Sequence, residues 1–245
     1  MDRIFRANSA FISSFFIRQR QFVPSVEAGA DYKTKSGTKR CEFYNEGFRR
    51  NNNIAPEFVD IMPKYRGQIN RKMCIRDSLD IGCGSGALTN RCARAFPLAR
   101  AVGIDFWGKE WSYAKEQCEQ NAAIEGVQNR VSFQKGDAAH LDFPDEFFDA
   151  VVSNFVFHEV RSEKDKRNVV QEALRVLKKG GSFSLQDLFS QEKLYGNMEE
   201  FAEELRREGF QEVHYIPFIE REHWIPRYIQ APWMLYGVGL LYGKK

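Results

Sequence analysis

Apolar positions change rhythm along the chain, and the changes mark the elements. Residues 1–45 carry little consistent periodicity. Residues 29–39 are polar and rich in Gly, Ser, Thr and Lys, which predicts a linker or loop. Phe58, Ile61, Met62 and Tyr65 fall at helical spacing behind Pro56, a residue suited to a first helical turn. From residue 79 the pattern is regular. A short apolar stub, Leu79 and Ile81, runs into three glycines, and a helical pattern follows through Leu88, Cys92, Ala95 and Phe96. Residues 101–104 predict a second strand ending at Asp105. Trp111, Ala114, Cys118 and Ala122 share a helix face that Gly126 closes. Val131 and Phe133 alternate with polar residues as a third strand, and residues 147–153 (FFDAVVS) read as a buried central strand. A helix follows, with Ser162 and Asp165 spaced as a capping box and Val170, Ala173, Leu174 and Leu177 as its stripe. Gly180 and Gly181 then turn the chain into a fifth strand at residues 182–185. Met198, Phe201, Ala202 and Leu205 mark another helix, closed by Gly209, and residues 213–218 and 233–242 read as the last two strands. The order βαβαβαβαβαββ predicts an α/β fold, an open and mostly parallel sheet with helices on both faces.

The seam before this domain is the oddest stretch. A strand entering a buried loop should be nearly continuous in apolar residues, yet residues 72–78 read KMCIRDS. The heptapeptide resembles one reading frame of a transposon-adapter sequence used in preparing sequencing libraries. On that reading the 71 upstream residues are foreign or displaced. The alternative is a short first strand beginning at Leu79. The expected organisation is a basic extension over residues 1–45, poorly ordered or artefactual, then a helical lead-in over 46–78 with its suspect 72–78 junction, and a domain over 79–245.

Charge sharpens this division. The chain has a net charge of +3, but residues 1–78 hold 15 Lys+Arg against 8 Asp+Glu, whereas residues 79–245 hold 21 against 25. A basic extension on an acidic domain suits an anionic partner or a plain solvated arm, and the arm is the commoner case. No apolar run approaches the ~20 residues that span a bilayer. Residues 10–17 (AFISSFFI), followed by Arg18 and Arg20, leave peripheral membrane contact by the N-terminus open. Five cysteines, an odd number without paired spacing, predict reduced thiols, no metal site and a cytoplasmic setting.

The candidate chemistry sits at strand ends, where open α/β sheets bind ligands. Gly82, Gly84 and Gly86 form G-x-G-x-G with Asp80 two residues ahead, in LDIGCGSG. The dinucleotide fingerprint needs G-x-G-x-x-G, so the spacing points away from NAD. Asp105 lies 19 residues after Gly86, a spacing that suits a carboxylate accepting from ribose hydroxyls. Asp137 follows the third strand. A single strand-end Asp is usually a turn or cap, but three at consecutive strand ends make a site.

These residues resemble the class I S-adenosylmethionine-dependent methyltransferases, most clearly in LDIGCGSG, VGID, GDA, FDAVVSN and LRVLKKGG across residues 79–245. The resemblance implies a Rossmann-like, doubly wound, seven-stranded sheet ending in an antiparallel hairpin, with S-adenosyl-L-methionine as cofactor. It implies that Asp80 helps hold the methionine end and that Asp137 accepts from the adenine amine. Phe106 or Trp107 would pack on the adenine face. Gly82, Cys83, Gly84, Gly86, Asp105, Ala138 and Asn154 complete the expected cofactor set. The segment after strand four, residues 153–159 (SNFVFHE), lacks the Asn/Asp-Pro-Pro-aromatic tetrad of base and amide methylases. It is closer to small-molecule enzymes, whose segment often carries an aromatic or Leu before a His.

His158 is therefore a candidate general base, or else a histidine that orders the pocket. Asp187 is a candidate for orienting substrate. Phe155, Phe157, Phe189 and Tyr195 are expected to rim the pocket with them. The partner expected is a small organic acceptor methylated by direct in-line displacement. An RNA-directed enzyme gripping through its basic N-terminus, or a cofactor-binding protein without catalysis, are the alternatives.

Overall fold

A computed structural model describes residues 32–34, 37–39, 77–108, 115–221 and 236–245, in two units, Met1–Lys72 and Met73–Lys245. In the first unit Tyr32–Thr34 pairs antiparallel with Gly37–Lys39, so part of the stretch expected to be a loop is a small hairpin. Tyr32, Thr34 and Thr38 are strand-compatible residues that the polar composition masked. The helix behind Pro56, the rest of the basic extension and junction residues 72–76 lie outside the described residues, as do Trp111 and Ala114.

The second unit is built on seven strands: β1 (Asp77–Ile81), β2 (Arg100–Asp105), β3 (Val131–Lys135), β4 (Phe148–Asn154), β5 (Leu177–Asp187), β6 (Glu212–Ile216) and β7 (Gly239–Lys244). They lie in the order β3-β2-β1-β4-β5-β7-β6. β7 runs antiparallel to both β5 and β6, and every other pair is parallel. This is the Rossmann-like, mostly parallel sheet with a terminal antiparallel strand that the sequence implies. Its helices are α1 (Ala87–Ala95), α2 (Lys115–Ile124), α3 (Lys166–Arg175), α4 (Glu192–Tyr195) and α5 (Met198–Arg207).

Right-handed crossovers decide where the site lies. The chain steps from β1 through β2 to β3 in one direction, then returns to β4 and steps to β5 in the other. Helices of the two halves therefore cover opposite faces, and a crevice opens between β1 and β4. On the α1–α2 side, Cys83, Ala93, Ala101, Cys118, Ala122, Val127 and Phe133 form one apolar cluster. Fully buried Leu79, Ile81, Val151, Phe183 and Leu185 fill the centre of the sheet, each worth ~1.5–3 kcal/mol of burial.

Several expectations need correction. β1 begins at Asp77, two residues before Leu79. Its polar start is satisfied by neighbours: the Ser78 hydroxyl donates to the Arg100 carbonyl at 3.2 Å, and the Asp77 N–H to Asp149 Oδ2 at 3.1 Å. No helix links β3 to β4, so the βαβαβαβαβαββ order holds one helix too many. Side chains of α3 hold that connection instead. Glu172 accepts from the Leu141 N–H at 2.8 Å, and Arg175 donates to the carbonyls of Leu141 and Phe143, both at 3.0 Å.

The α3 cap is Asp165, accepting from the Arg167 N–H at 3.0 Å, so no capping box begins at Ser162. Gly180 and Gly181 lie inside β5, at a bulge where the register jumps from Phe148 opposite Leu177 to Ala150 opposite Ser182. Leu177 opens that strand rather than closing the α3 stripe. The last strand runs over Gly239–Lys244, sharing only residues 239–242 with the expected 233–242. No helix among the described residues is long and apolar enough to cross a membrane.

Candidate active site

The loop after β1 turns on glycines in the left-handed region, with φ of 72° at Gly82, 56° at Gly84 and 83° at Gly86. An L side chain there costs roughly 1–2 kcal/mol, and at Gly82 a Cβ would lie 2.1 Å from Val156 Cγ2. Gly86 is the N-cap of α1 and has no side chain to bond the first-turn amides, which suits a terminus that faces a ligand. The loop is tied down from below. Gly82 and Cys83 donate to the Ile104 carbonyl at 2.8 and 2.9 Å, and the Cys118 thiol donates to Gly84 O at 3.2 Å. Cys83, Cys92 and Cys118 are free, buried thiols.

The three strand-end carboxylates stand along this edge with different environments. Asp105 braces the loop: its Oδ2 accepts from the Gly84 N–H at 2.8 Å and its Oδ1 from the Trp107 N–H at 3.2 Å. Asp137 accepts from the Ala139 N–H at 2.9 Å and from the Ser162 hydroxyl at 3.0 Å, drawing the β4–α3 loop toward β3. Ala138 is buried beside it.

Asp80 is buried beneath the loop and accepts the Thr89 hydroxyl at 2.5 Å. Burial pushes its carboxyl up to about 7; the Thr89 bonds oppose this and the Asp105 charge adds to it. Asp80, expected to help hold the methionine end, is thus braced beneath the loop through Thr89. Phe106 is 58% exposed, with Lys135 Nζ 5.1 Å from its ring centre. Trp107 instead packs on the apolar cluster, and its indole N–H donates to Gly84 O at 3.4 Å. Of the two expected adenine platforms, Phe106 is the one left facing outward.

Beyond β4 the backbone turns at Phe155, which adopts φ 57°, with its N–H bonded to the Gln186 carbonyl at 2.8 Å. The turn brings His158 against Asp187, with Nδ1 and Oδ1 2.7 Å apart and both side chains nearly closed to solvent. Asp187 also accepts from the N–H groups of Val156, Phe157 and Leu188 at 2.7–2.9 Å. Burial alone would lower the His158 pKa. The charge and hydrogen bond of Asp187, joined by Glu159 3.4 Å from Nε2, outweigh burial and raise it to about 10. The Asp187 partner thus favours the protonated ring, which weighs against His158 as a general base.

The expected aromatic rim is also corrected. Phe157, Phe189 and Tyr195 are buried and pack on one another, with Phe189 and Tyr195 edge to face at 4.8 Å. Phe155 alone of the set keeps partial exposure.

The residues fit an adenosyl cofactor on one further observation. Asn154 Oδ1, at the end of β4 beside the crevice, is buried without a hydrogen-bond partner among the described residues. Sequence reasoning missed Thr89, Ser162, Lys135 and Gln186. Thr89 lies in the first turn of α1, Ser162 in the β4–α3 loop, Lys135 at the end of β3 and Gln186 near the end of β5, and no distinctive residue type marks any of them in the sequence.

Comparison with known proteins agrees with this geometry. Residues 79–185 match the family described as "Methyltransferase domain". The chain is 30% identical over 131 residues to a sterol 24-C-methyltransferase of Aspergillus fumigatus, covering 52% of this chain and 33% of that one. It is 34% identical over 131 residues to the 27-O-demethylrifamycin SV methyltransferase of Amycolatopsis mediterranei, covering 54% and 45%. The chain thus spans less than half the length of these curated relatives. The crystal structure of the cyclase SpnF superposes with a TM-score of 0.51 at 21% identity, covering 72% of this chain and 78% of that one.

Proposed function

We propose, from the premise that residues 79–185 make this chain a class I S-adenosylmethionine-dependent methyltransferase, that it binds S-adenosyl-L-methionine across the β1–β4 crevice and methylates a small organic acceptor. The observation that carries the reading is the three-glycine loop bound at Gly84 to Asp105, with Phe106 exposed beside it. Asp105 would take the ribose hydroxyls, Asp137 and Phe106 the adenine, and Asn154 Oδ1 the ammonium of the methionine end. The cofactor supplies a methyl group already activated on a sulfonium, so the protein must align the acceptor and exclude water.

His158 serves this reading as a positioning residue. Its bond to Asp187 fixes the loop that places Val156 against Gly82, and so shapes the cofactor crevice. A small acceptor is supported by the two relatives, whose names give a sterol and a rifamycin as acceptors. Because a fold does not fix a function, the second reading is cofactor binding without methyl transfer. Incubating the full chain with the methyl donor and pooled metabolites or RNA separates these readings. Formation of S-adenosylhomocysteine with a metabolite fraction supports the proposal. Formation only with RNA replaces the acceptor class, and none with either leaves the binding reading.

A further inference from the structure

Past Asp187 the carboxyl edge of the sheet carries a second cluster that cofactor binding leaves unused. β5 and β6 each run antiparallel to β7, so residues after β5, after β6 and before β7 all leave the sheet on the edge that bears the glycine loop. Hydrogen bonds join them into one shelf. Ser190 donates its N–H to the Gly237 carbonyl at 3.0 Å, and its hydroxyl accepts from the Phe218 N–H at 2.9 Å. The Tyr215 hydroxyl lies 3.0 Å from that same oxygen. Beneath, buried Glu220 accepts from the N–H groups of Gly237 and Val238 at 3.1 and 3.2 Å.

The side chains held up by this scaffold are aromatic and cationic. Phe218 is fixed at φ 49° and keeps its ring half-exposed. A non-glycine residue stays in that region only where its surroundings over-determine it, and such residues concentrate at binding sites. The Arg221 guanidinium carbon lies 4.3 Å from the centre of the Phe218 ring, and the ring of Tyr236, 51% exposed, is centred 6.5 Å from it. A guanidinium stacked on a ring keeps its in-plane N–H donors for a second partner. The adjacent carboxylate, Glu220, is taken by two amides, and Arg221 has no ion pair among the described residues. The bond from Phe218 to Ser190 draws the ring over the end of β5, about two strand spacings of ~4.8 Å from the crevice.

We propose that Phe218 and Arg221 bind the methyl acceptor and that this acceptor is a planar organic anion. Its apolar body lies against Phe218 and Tyr236, and its anionic group accepts from the Arg221 guanidinium. The inference rests on the methyl-transfer reading above and adds to it the chemical class of the acceptor.

The test is calorimetry on the full-length protein with naphthoate as a planar anion and naphthylmethylammonium as its cationic counterpart, each titrated with and without saturating S-adenosylhomocysteine. Naphthoate should bind and the cation should not. Arg221→Gln and Phe218→Gly should each weaken naphthoate ~10-fold, the scale of a hydrogen bond to a charged group and of an aromatic contact. Glycine adopts the left-handed backbone freely, so Phe218→Gly should hold or raise Tm. Affinity for S-adenosylhomocysteine should stay within about twofold in both variants, as for independent sites. No binding of naphthoate to the wild type, equal binding of the cation, or unchanged naphthoate affinity in Arg221→Gln overturns the shelf. If S-adenosylhomocysteine gives no heat with the wild type, the cofactor reading fails instead, and the naphthoate titrations without it still decide the shelf.

Discussion

Replacing His158 with Ala separates a positioning role from a general base, because the two leave different thermodynamic traces. The pair it breaks is buried, at 8% and 0% side-chain exposure. Raising His158 from 6.5 to about 10 corresponds to about 5 kcal/mol at 1.36 kcal/mol per pKa unit. Breaking a buried pair by deleting one partner costs ~3–5 kcal/mol, in agreement. The lower end applies, because Asp187 keeps three backbone amide donors.

The expected loss is therefore about 3 kcal/mol, a fall in Tm on the order of 10 °C. The sign with pH follows from the raised pKa. The contribution is complete below about 6.5 and is lost as pH rises through about 10. The Tm gap between wild type and variant should narrow over that interval. Calorimetric melts from pH 6 to 10, with cofactor-product affinity and turnover measured beside them, read all of this. Affinity and kcat should fall together. An unchanged melt and Kd, with kcat down ~10²–10⁴-fold and a wild-type rate profile that titrates near 6.5, would refute the positioning role and restore the base.

Asp105→Ala should weaken S-adenosylhomocysteine ~10–100-fold, the scale of hydrogen bonds to a charged group, without unfolding the domain. An unchanged dissociation constant would make Asp105 a loop brace only. Asp80→Asn keeps an acceptor for Thr89 and removes an ionisation that burial makes costly. Because the folded pKa is raised, wild-type stability falls as pH rises from 3.8 through about 7. The variant should gain on wild type by about 4 kcal/mol between pH 4 and pH 8 at 1.36 kcal/mol per unit. Denaturant titrations with a constant difference across that range would contradict it.

Much of this arrangement was legible in the chain. The G-x-G-x-G loop with Asp80, Asp105 and Asp137 announced strand ends, because glycine and a following carboxylate are local signals. The mostly parallel sheet with its antiparallel end came from the alternation of elements and the family resemblance, whereas the strand order did not. What escaped depends on contacts between distant residues. Asp80 reads as a ligand-facing acid until Thr89, nine residues on, takes its carboxylate. His158 reads as a base until Asp187, 29 residues away, fixes its proton. The two glycines at 180 and 181 look like a turn, yet pairing to β4 absorbs them as a bulge. The connection from β3 to β4, where the element order implied a helix, is a loop whose backbone Glu172 and Arg175 bond from α3. Phe218 reads as the last residue of a strand; its left-handed backbone beneath Arg221 is defined only by the folded neighbourhood.

The central claim is that the crevice after β1 holds an S-adenosyl ligand and no dinucleotide. Titrating the full-length protein by calorimetry with S-adenosylhomocysteine and with NAD tests it most directly. The account predicts saturable one-to-one binding of S-adenosylhomocysteine, weakened ~10–100-fold by Asp105→Ala, and no heat from NAD. Tight binding of NAD with no response to S-adenosylhomocysteine would contradict it.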